Sequence, residues 1–174
     1  IGLDHAIYWH RSGLYSCGDN SKGQLGNGTW VSSMILVSLN FQSEYVATFY
    51  NHSLALKNDS SVWAWGENTY GQIGDGTTEN RNVSTQVSGL SDVVEIAAGG
   101  GHSLAIKTDG TVWAWGNNQN GQLGNGTNTN SSTPVQVSGL TDVMAIAAGM
   151  NHSLALKSDG TVWAWGDNSS GQLG

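Results

Sequence analysis

The sequence predicts an all-β fold, a β-propeller of four-stranded antiparallel blades. Three observations predict it. First, one tract recurs at a 50-residue spacing: His52-Ser53-Leu54-Ala55-Leu56 returns as His102-Ser103-Leu104-Ala105-Ile106 and as His152-Ser153-Leu154-Ala155-Leu156. Each copy is followed by Val-Trp-Ala-Trp-Gly, at 62–66, 112–116 and 162–166, and then by Gly-Gln-(Ile/Leu)-Gly from Gly71, Gly121 and Gly171. Such self-similarity marks small supersecondary units that bury their apolar faces only by stacking on one another. Second, the apolar period inside the unit is two rather than 3.6, with β-branched and aromatic residues dominant. Third, the segments between are rich in Gly, Asn, Asp and Ser, the turn-forming types.

Alignment on the histidine divides the chain into units 1–47, 48–97 and 98–147 and an incomplete 148–174. Within a unit, Val93–Ala98 and Val143–Ala148 read as a strand running into a small-residue turn, Gly99-Gly100-Gly101 in one copy and Gly149-Met150-Asn151 in the other. Its Ala and Gly predict crowding, so this strand lines the central axis. The next strand, His102–Lys107, reaches its partner through Thr108-Asp109-Gly110, a hairpin in which Gly supplies positive φ. Asn58-Asp59-Ser60 lacks that Gly and is expected to be mildly strained. In Thr111–Gly116 the two Trp share one face while Val112 and Ala114 share the other, so both faces are covered. Thr133–Ser138 carries the chain's one Pro, which confines it to the outer edge. The Trp pairs are expected to pack blade against blade, with Trp113→Ala costing about 3–5 kcal/mol.

Composition narrows the function classes. The 174 residues are 38% hydrophobic, include eight Trp, and are only 11% charged, so solubility rests on Asn, Ser, Thr and Gln. A net charge of −7 with six Lys plus Arg argues against nucleic acid, whose binding needs clustered cations. No apolar run is long enough to span a membrane as a helix. Cys17 stands alone, so it forms no disulfide within the chain, and it takes the place of the second Trp in the Trp-x-Trp-Gly tract, where a small buried hydrophobe is expected. The eight Asn-x-Ser/Thr sites (Asn27, Asn51, Asn58, Asn82, Asn125, Asn130, Asn151, Asn168) reflect mainly the abundance of these residue types.

The run Gly101-His102-Ser103-Leu104-Ala105-Ile106, then Asp109–Asn118, then Gly121-Gln122-Leu123-Gly124, in three clear copies and one eroded copy, resembles the regulator of chromosome condensation repeat family. That resemblance implies a seven-bladed propeller. The best-known members are nucleotide exchange factors for a nuclear small GTPase, docked on chromatin. Others, including secreted bacterial inhibitors of β-lactamases, use the ring purely to bind protein. Seven such blades need about 350 residues, twice the length here, so the chain reads as part of a longer ring rather than a self-complementing dimer.

Candidate sites are few. The recurring histidines do not form a metal cluster, because adjacent blades stand about 10 Å apart and zinc needs each nitrogen within about 2.1 Å; a ring nitrogen bonded to backbone near the axis is expected instead. Asp19–Gly23 and Asp167–Gly171 resemble calcium loops only superficially, since the third copy begins Asn117-Asn118 and has no carboxylate. No catalytic arrangement stands out, and no cofactor is implied. Variation concentrates before Gly-Gln, at Lys22, Tyr70, Asn120 and Ser170, and after it, at Trp30, Glu79 and Arg81. Loops on a rigid frame are where recognition is usually placed, and Trp, Tyr and Arg are the types that anchor interfaces. The expected function is therefore a non-catalytic protein-binding propeller, extracellular or at a cell surface. The alternatives are a structural subunit or decoration of an extracellular filament or adhesin, and a guanine nucleotide exchange factor. The expected partner is another protein, with self-association or the other half of a ring as further possibilities, and with neither nucleic acid nor membrane insertion.

Overall fold

Alternating sequence over five or six positions produces strands, and no helix occurs among the described residues. The computed structural model describes residues 4–10, 13–39, 42–43 and 45–174. Residues 1–3 and Arg11-Ser12 of the eroded first copy lie outside them. In chain order the strands are β1 (His5–His10), β2 (Gly13–Gly18), β3 (Ser33–Ser38), β4 (Tyr45–Phe49), β5 (His52–Leu56), β6 (Val62–Gly66) and β7 (Arg81–Gln86). There follow β8 (Val93–Ala98), β9 (His102–Lys107), β10 (Val112–Gly116), β11 (Ser131–Gln136), β12 (Val143–Ala148), β13 (His152–Lys157) and β14 (Val162–Gly166).

They pair as antiparallel meanders. Two sheets have four strands, β4-β5-β6-β7 and β8-β9-β10-β11, and two flanking sheets have three, β1-β2-β3 and β12-β13-β14. The chain is thus a partial propeller. β8 packs against both β4 and β12, so these crowded strands are the inner ones, as their Ala and Gly content predicts. The unit bounds at 47, 97 and 147 fall inside β4, β8 and β12, because the histidine used for alignment opens the second strand of each sheet. The outer strand β11 carries Pro134 and pairs only with β10. It begins two residues before the sequence suggests. Val137 leaves the strand after donating its N–H to the Val112 carbonyl, and is buried with Leu140 in the connection to the next blade.

The apolar core lies between sheets. Leu54, Leu56, Val62 and Ala64 of one blade meet Val93, Ile96, Ala105 and Trp115 of the next. One blade on, Leu104, Ile106, Val112 and Ala114 meet Val143, Ile146 and Ala155. Where no neighbouring sheet follows, the same positions open to solvent: Val162 is 68% exposed, against 1% for Val62. Cys17 departs from expectation for the same reason, being half-buried, since no described sheet lies on that side of blade one.

The two Trp of a pair differ. Trp115 is fully buried against the preceding blade, whereas Trp113 is partly buried at the margin of the same cluster, its indole NH donating to Thr111 and its ring lying beneath the Lys107 ammonium. Trp115 fits because the neighbouring turn ends in Gly74, at φ +77°, where a Cβ would lie 2.8 Å from the indole nitrogen. At about 25 cal/mol per Å² and about 150–250 Å² of ring, each buried indole contributes several kcal/mol gross. The large truncation cost therefore belongs to Trp115. Chemical denaturation is expected to show Trp115→Ala losing about 3–5 kcal/mol and Trp113→Ala clearly less. The turn strain is also present, with Ser60 at φ +63° where Gly110 has +76°. Ser60→Gly is expected to raise stability by about 0.5–1 kcal/mol, since the relief of left-handed strain exceeds the added chain entropy.

Candidate functional site

The recurring histidines occupy the blade junctions. His52 Nε2 lies 3.1 Å from Ser103 Oγ of the next blade, His102 Nε2 lies 3.0 Å from Ser153 Oγ, and His5 Nε2 lies 3.0 Å from Ser53 Oγ. The partner is a hydroxyl across the interface, not the backbone group the sequence suggested. His and Ser are strand neighbours and face opposite ways, so each blade reaches forward with one and is met from behind through the other. Ser103 Oγ donates to the Gln72 carbonyl at 2.9 Å, and Ser153 Oγ to the Gln122 carbonyl at 2.9 Å. With the hydroxyl proton committed there, the imidazole N–H is the donor and the serine oxygen the acceptor. This is the reverse of a base activating a nucleophile. Each histidine serves its own interface, and no group of three or more His, Cys, Asp or Glu that could hold a metal ion occurs among the described residues.

The same carbonyls receive the tryptophans. Trp65 Nε1 donates to Gln24 O at 3.0 Å, Trp115 to Gln72 O at 2.9 Å and Trp165 to Gln122 O at 2.9 Å. Each Gln side chain holds its own turn, its Oε1 accepting the backbone N–H of Lys22, Tyr70, Asn120 or Ser170 at 2.8–2.9 Å. Asn68 organises the following loop: Oδ1 accepts Ile73 N–H at 2.9 Å, while Nδ2 donates to the Thr77 and Glu79 carbonyls at 3.1 and 3.0 Å. Asn20 and Asn118 do the same. The segments likened to calcium loops are thus wound around an amide. Sequence reasoning missed this role, although the Asn recurs in all four copies while its neighbours vary.

These bonds place the candidate residues. Lys22, Tyr70, Asn120 and Ser170 take equivalent positions in successive blades; the first two are half-buried and the others exposed. Trp30, 51% exposed, and the exposed Glu79 lie in the loops leading to the outer strands. Arg81 opens β7 and is already engaged, its Nε donating to Asp75 at 2.7 Å and its Nη2 to Thr77 Oγ1 at 3.2 Å. Of these seven, Tyr70 lines a cleft of about 150 Å³, together with Tyr50, Gly100, Gly101, Asn117, Met150 and Asn151. The cleft joins the β4–β5, β8–β9 and β12–β13 turns at one end of the inner strands. Its other members were not among the candidate site residues, although position 50, 100 or 150 reads Tyr, Gly and Met in successive copies.

A family model described as the RCC1-like domain matches residues 1–174. The chain belongs to the RCC1-like domain family. No curated protein sequence matches it closely enough to extend that statement. Among solved structures, human WBSCR16 is similar at 30% identity and a TM-score of 0.87, over 100% of this chain and 48% of that one. Yeast RCC1 (Prp20), crystallised bound to Kap60, is similar at 23% identity and a TM-score of 0.83, over 96% and 42% of the two chains. Prp20p from Saccharomyces cerevisiae, described with its binding to Gsp1p and histones, gives 24% and 0.84, over 95% and 44%. The chain spans a little under half the length of these RCC1-like structures. The last two likenesses bear on the fold alone.

The RCC1-like junction has a consequence for pH. Burial, reinforced by neighbouring histidines of the same row, lowers His52 from 6.5 to about 3 and His102 to about 4; burial likewise lowers His5 to about 4. The folded state holds these rings neutral while the unfolded chain protonates them below about 6.5. Their contribution is therefore complete above pH 6.5 and is lost as pH falls toward 4, at about 1.4 kcal/mol per pH unit for each ring. Urea denaturation across pH is expected to give a plateau above about 7 and a steep fall from 6.5 to 4, with His52→Gln making the fall shallower.

Proposed function

We propose that this chain is part of a non-catalytic, protein-binding propeller whose recognition residues lie in the turns that depart from the repeat. One observation carries the reading: a frame of His, Ser, Trp, Gln and Asn, complete in blades two to four and with Ala6 and Cys17 at two of its places in blade one, holds loops whose tips differ from blade to blade. At the position before Gly-Gln the tips are Lys22, Tyr70, Asn120 and Ser170, on backbones fixed by the same Gln bond. A frame of this kind supports recognition by supplying a rigid platform, so little ordering entropy opposes association. The polar groups that resemble catalytic machinery, the buried histidines and serines, are engaged in joining blades. The acidic balance, −7 overall, further supports a protein partner over a nucleic acid.

The test is chemical cross-linking with mass spectrometry on the chain and on a variant carrying Lys22→Ala, Trp30→Ala and Tyr70→Ala. A specific cross-linked partner is expected for the parent and a loss of at least tenfold in its recovery for the variant, with the denaturation midpoint unchanged. Recovery equal in both would overturn the assignment to these loops. Acceleration of nucleotide release from a small GTPase would replace it with the exchange-factor reading.

A further inference from the structure

The cleft beneath Tyr70 has features that the repeat does not require. Its floor is the Gly99-Gly100-Gly101 turn, and a Cβ at Gly100 would lie 2.5 Å from the Met150 carbonyl oxygen. The ring of Tyr70 lies over Gly101, with Cδ2 3.1 Å from where a Cβ would stand. Tyr50 supplies a second ring from the β4–β5 turn and holds φ +51°, a left-handed conformation that a bulky residue adopts at a cost of about 1–2 kcal/mol. Its counterparts in the next two blades, Gly100 and Met150, lack positive φ, so among the described copies this strain belongs to blade two. Met150, about half exposed, closes the far side, and Asn117 and Asn151 complete the wall. The volume of about 150 Å³ equals about five water molecules' share of the liquid, room for the head of one long side chain.

A carboxylate stands against one wall of the cleft. Glu67 accepts from Asn51 Nδ2 at 3.2 Å and so stands beside the Tyr50-Asn51 turn, and Asp167 donates its backbone N–H to the Asn151 carbonyl at 2.9 Å. The Glu67 carboxylate therefore lies beside one wall of the cleft, the Asp167 carboxylate is turned to Ser169 of its own loop, and the uncharged Asn117 holds the equivalent position between them. Lys22 lies one blade away on the equivalent turn of blade one, and Arg81 is paired with Asp75. Two phenol rings, a thioether and an adjacent carboxylate on a protein of charge −7 complement a planar, weakly hydrated cation.

We propose that this cleft receives the guanidinium group of an arginine presented by a partner protein, an inference that rests on the protein-binding reading above. Tyr50 and Tyr70 border the cation, and the Glu67 carboxylate beside the Tyr50-Asn51 turn, on a chain of net charge −7, favours it over a neutral side chain.

The experiment titrates the full ¹⁵N-labelled chain at low salt with acetyl-Gly-Arg-Gly-amide and with its citrulline counterpart, which keeps the shape and removes the charge. Amide shifts at Gly100 and Gly101 are expected with the arginine peptide, and an affinity at least tenfold weaker with citrulline. Tyr70→Phe is expected to keep binding and Tyr70→Ala to lose it. Tyr50→Gly is expected to raise the thermal midpoint while weakening binding, a combination that a purely structural tyrosine does not give. Equal affinity for the two peptides, or shifts confined to other surfaces, overturns the proposal. Partner binding that survives Tyr70→Ala counts against the cleft alone, whereas arginine-specific shifts without any protein partner count against the scaffold reading alone.

Discussion

One backbone carbonyl per blade junction governs this structure. The Gln72 oxygen accepts Trp115 Nε1 and Ser103 Oγ from the blade that follows, and Ser103 in turn accepts from His52 of the blade that precedes. The indole N–H, the serine hydroxyl, one imidazole nitrogen and the carbonyl are thereby paired in a buried place, where an unpaired polar group costs about 1–3 kcal/mol. The arrangement sets the angle and spacing at which one sheet meets the next. Apolar surface supplies the driving force, but it is non-directional. The carbonyl junction is what makes stacking specific.

The junction also accounts for the division between frame and tips. The glutamine whose carbonyl joins the blades uses its side chain to hold its own turn, and the neighbouring asparagine winds the loop beyond. The residue before Gly-Gln has a fixed backbone and a side chain that the frame does not use. A single repeat can therefore carry Lys22, Tyr70, Asn120 or Ser170 at one place without disturbing the packing. Tyr50 is the contrary case, a residue whose backbone is unfavourable and whose ring borders a cleft. Backbone strain of this kind persists where surrounding structure over-determines it.

The architecture was legible in sequence because a period-two pattern repeated at a long interval has few solutions. Crowding at Ala97-Ala98-Gly99 pointed to the inner strand, Pro134 to the outer, and Asp109-Gly110 to the hairpin between. Errors arose where a position's role depends on its neighbour in space. Cys17 was expected to be buried because its counterparts are, yet burial there comes from an adjacent sheet. Trp113 and Trp115 share a face and a residue type, but the former is partly buried beneath Lys107 while the latter is enclosed against the preceding blade. The histidine partner was misjudged because Ser103 stands 51 positions from His52, and sequence spacing carries no information about contacts between blades.

By itself the sequence determined the strand class, the blade order, the hairpin chemistry and the family, since all of these follow from local alternation and recurrence. Only the tertiary structure decided which of seven variable residues borders a cleft. Tyr50, Tyr70, Gly100 and Met150 belong to three different blades and converge because inner-strand turns meet near one axis. Local pattern specifies what each blade is. Proximity between blades is a property of their packing, and the candidate site is made from that proximity.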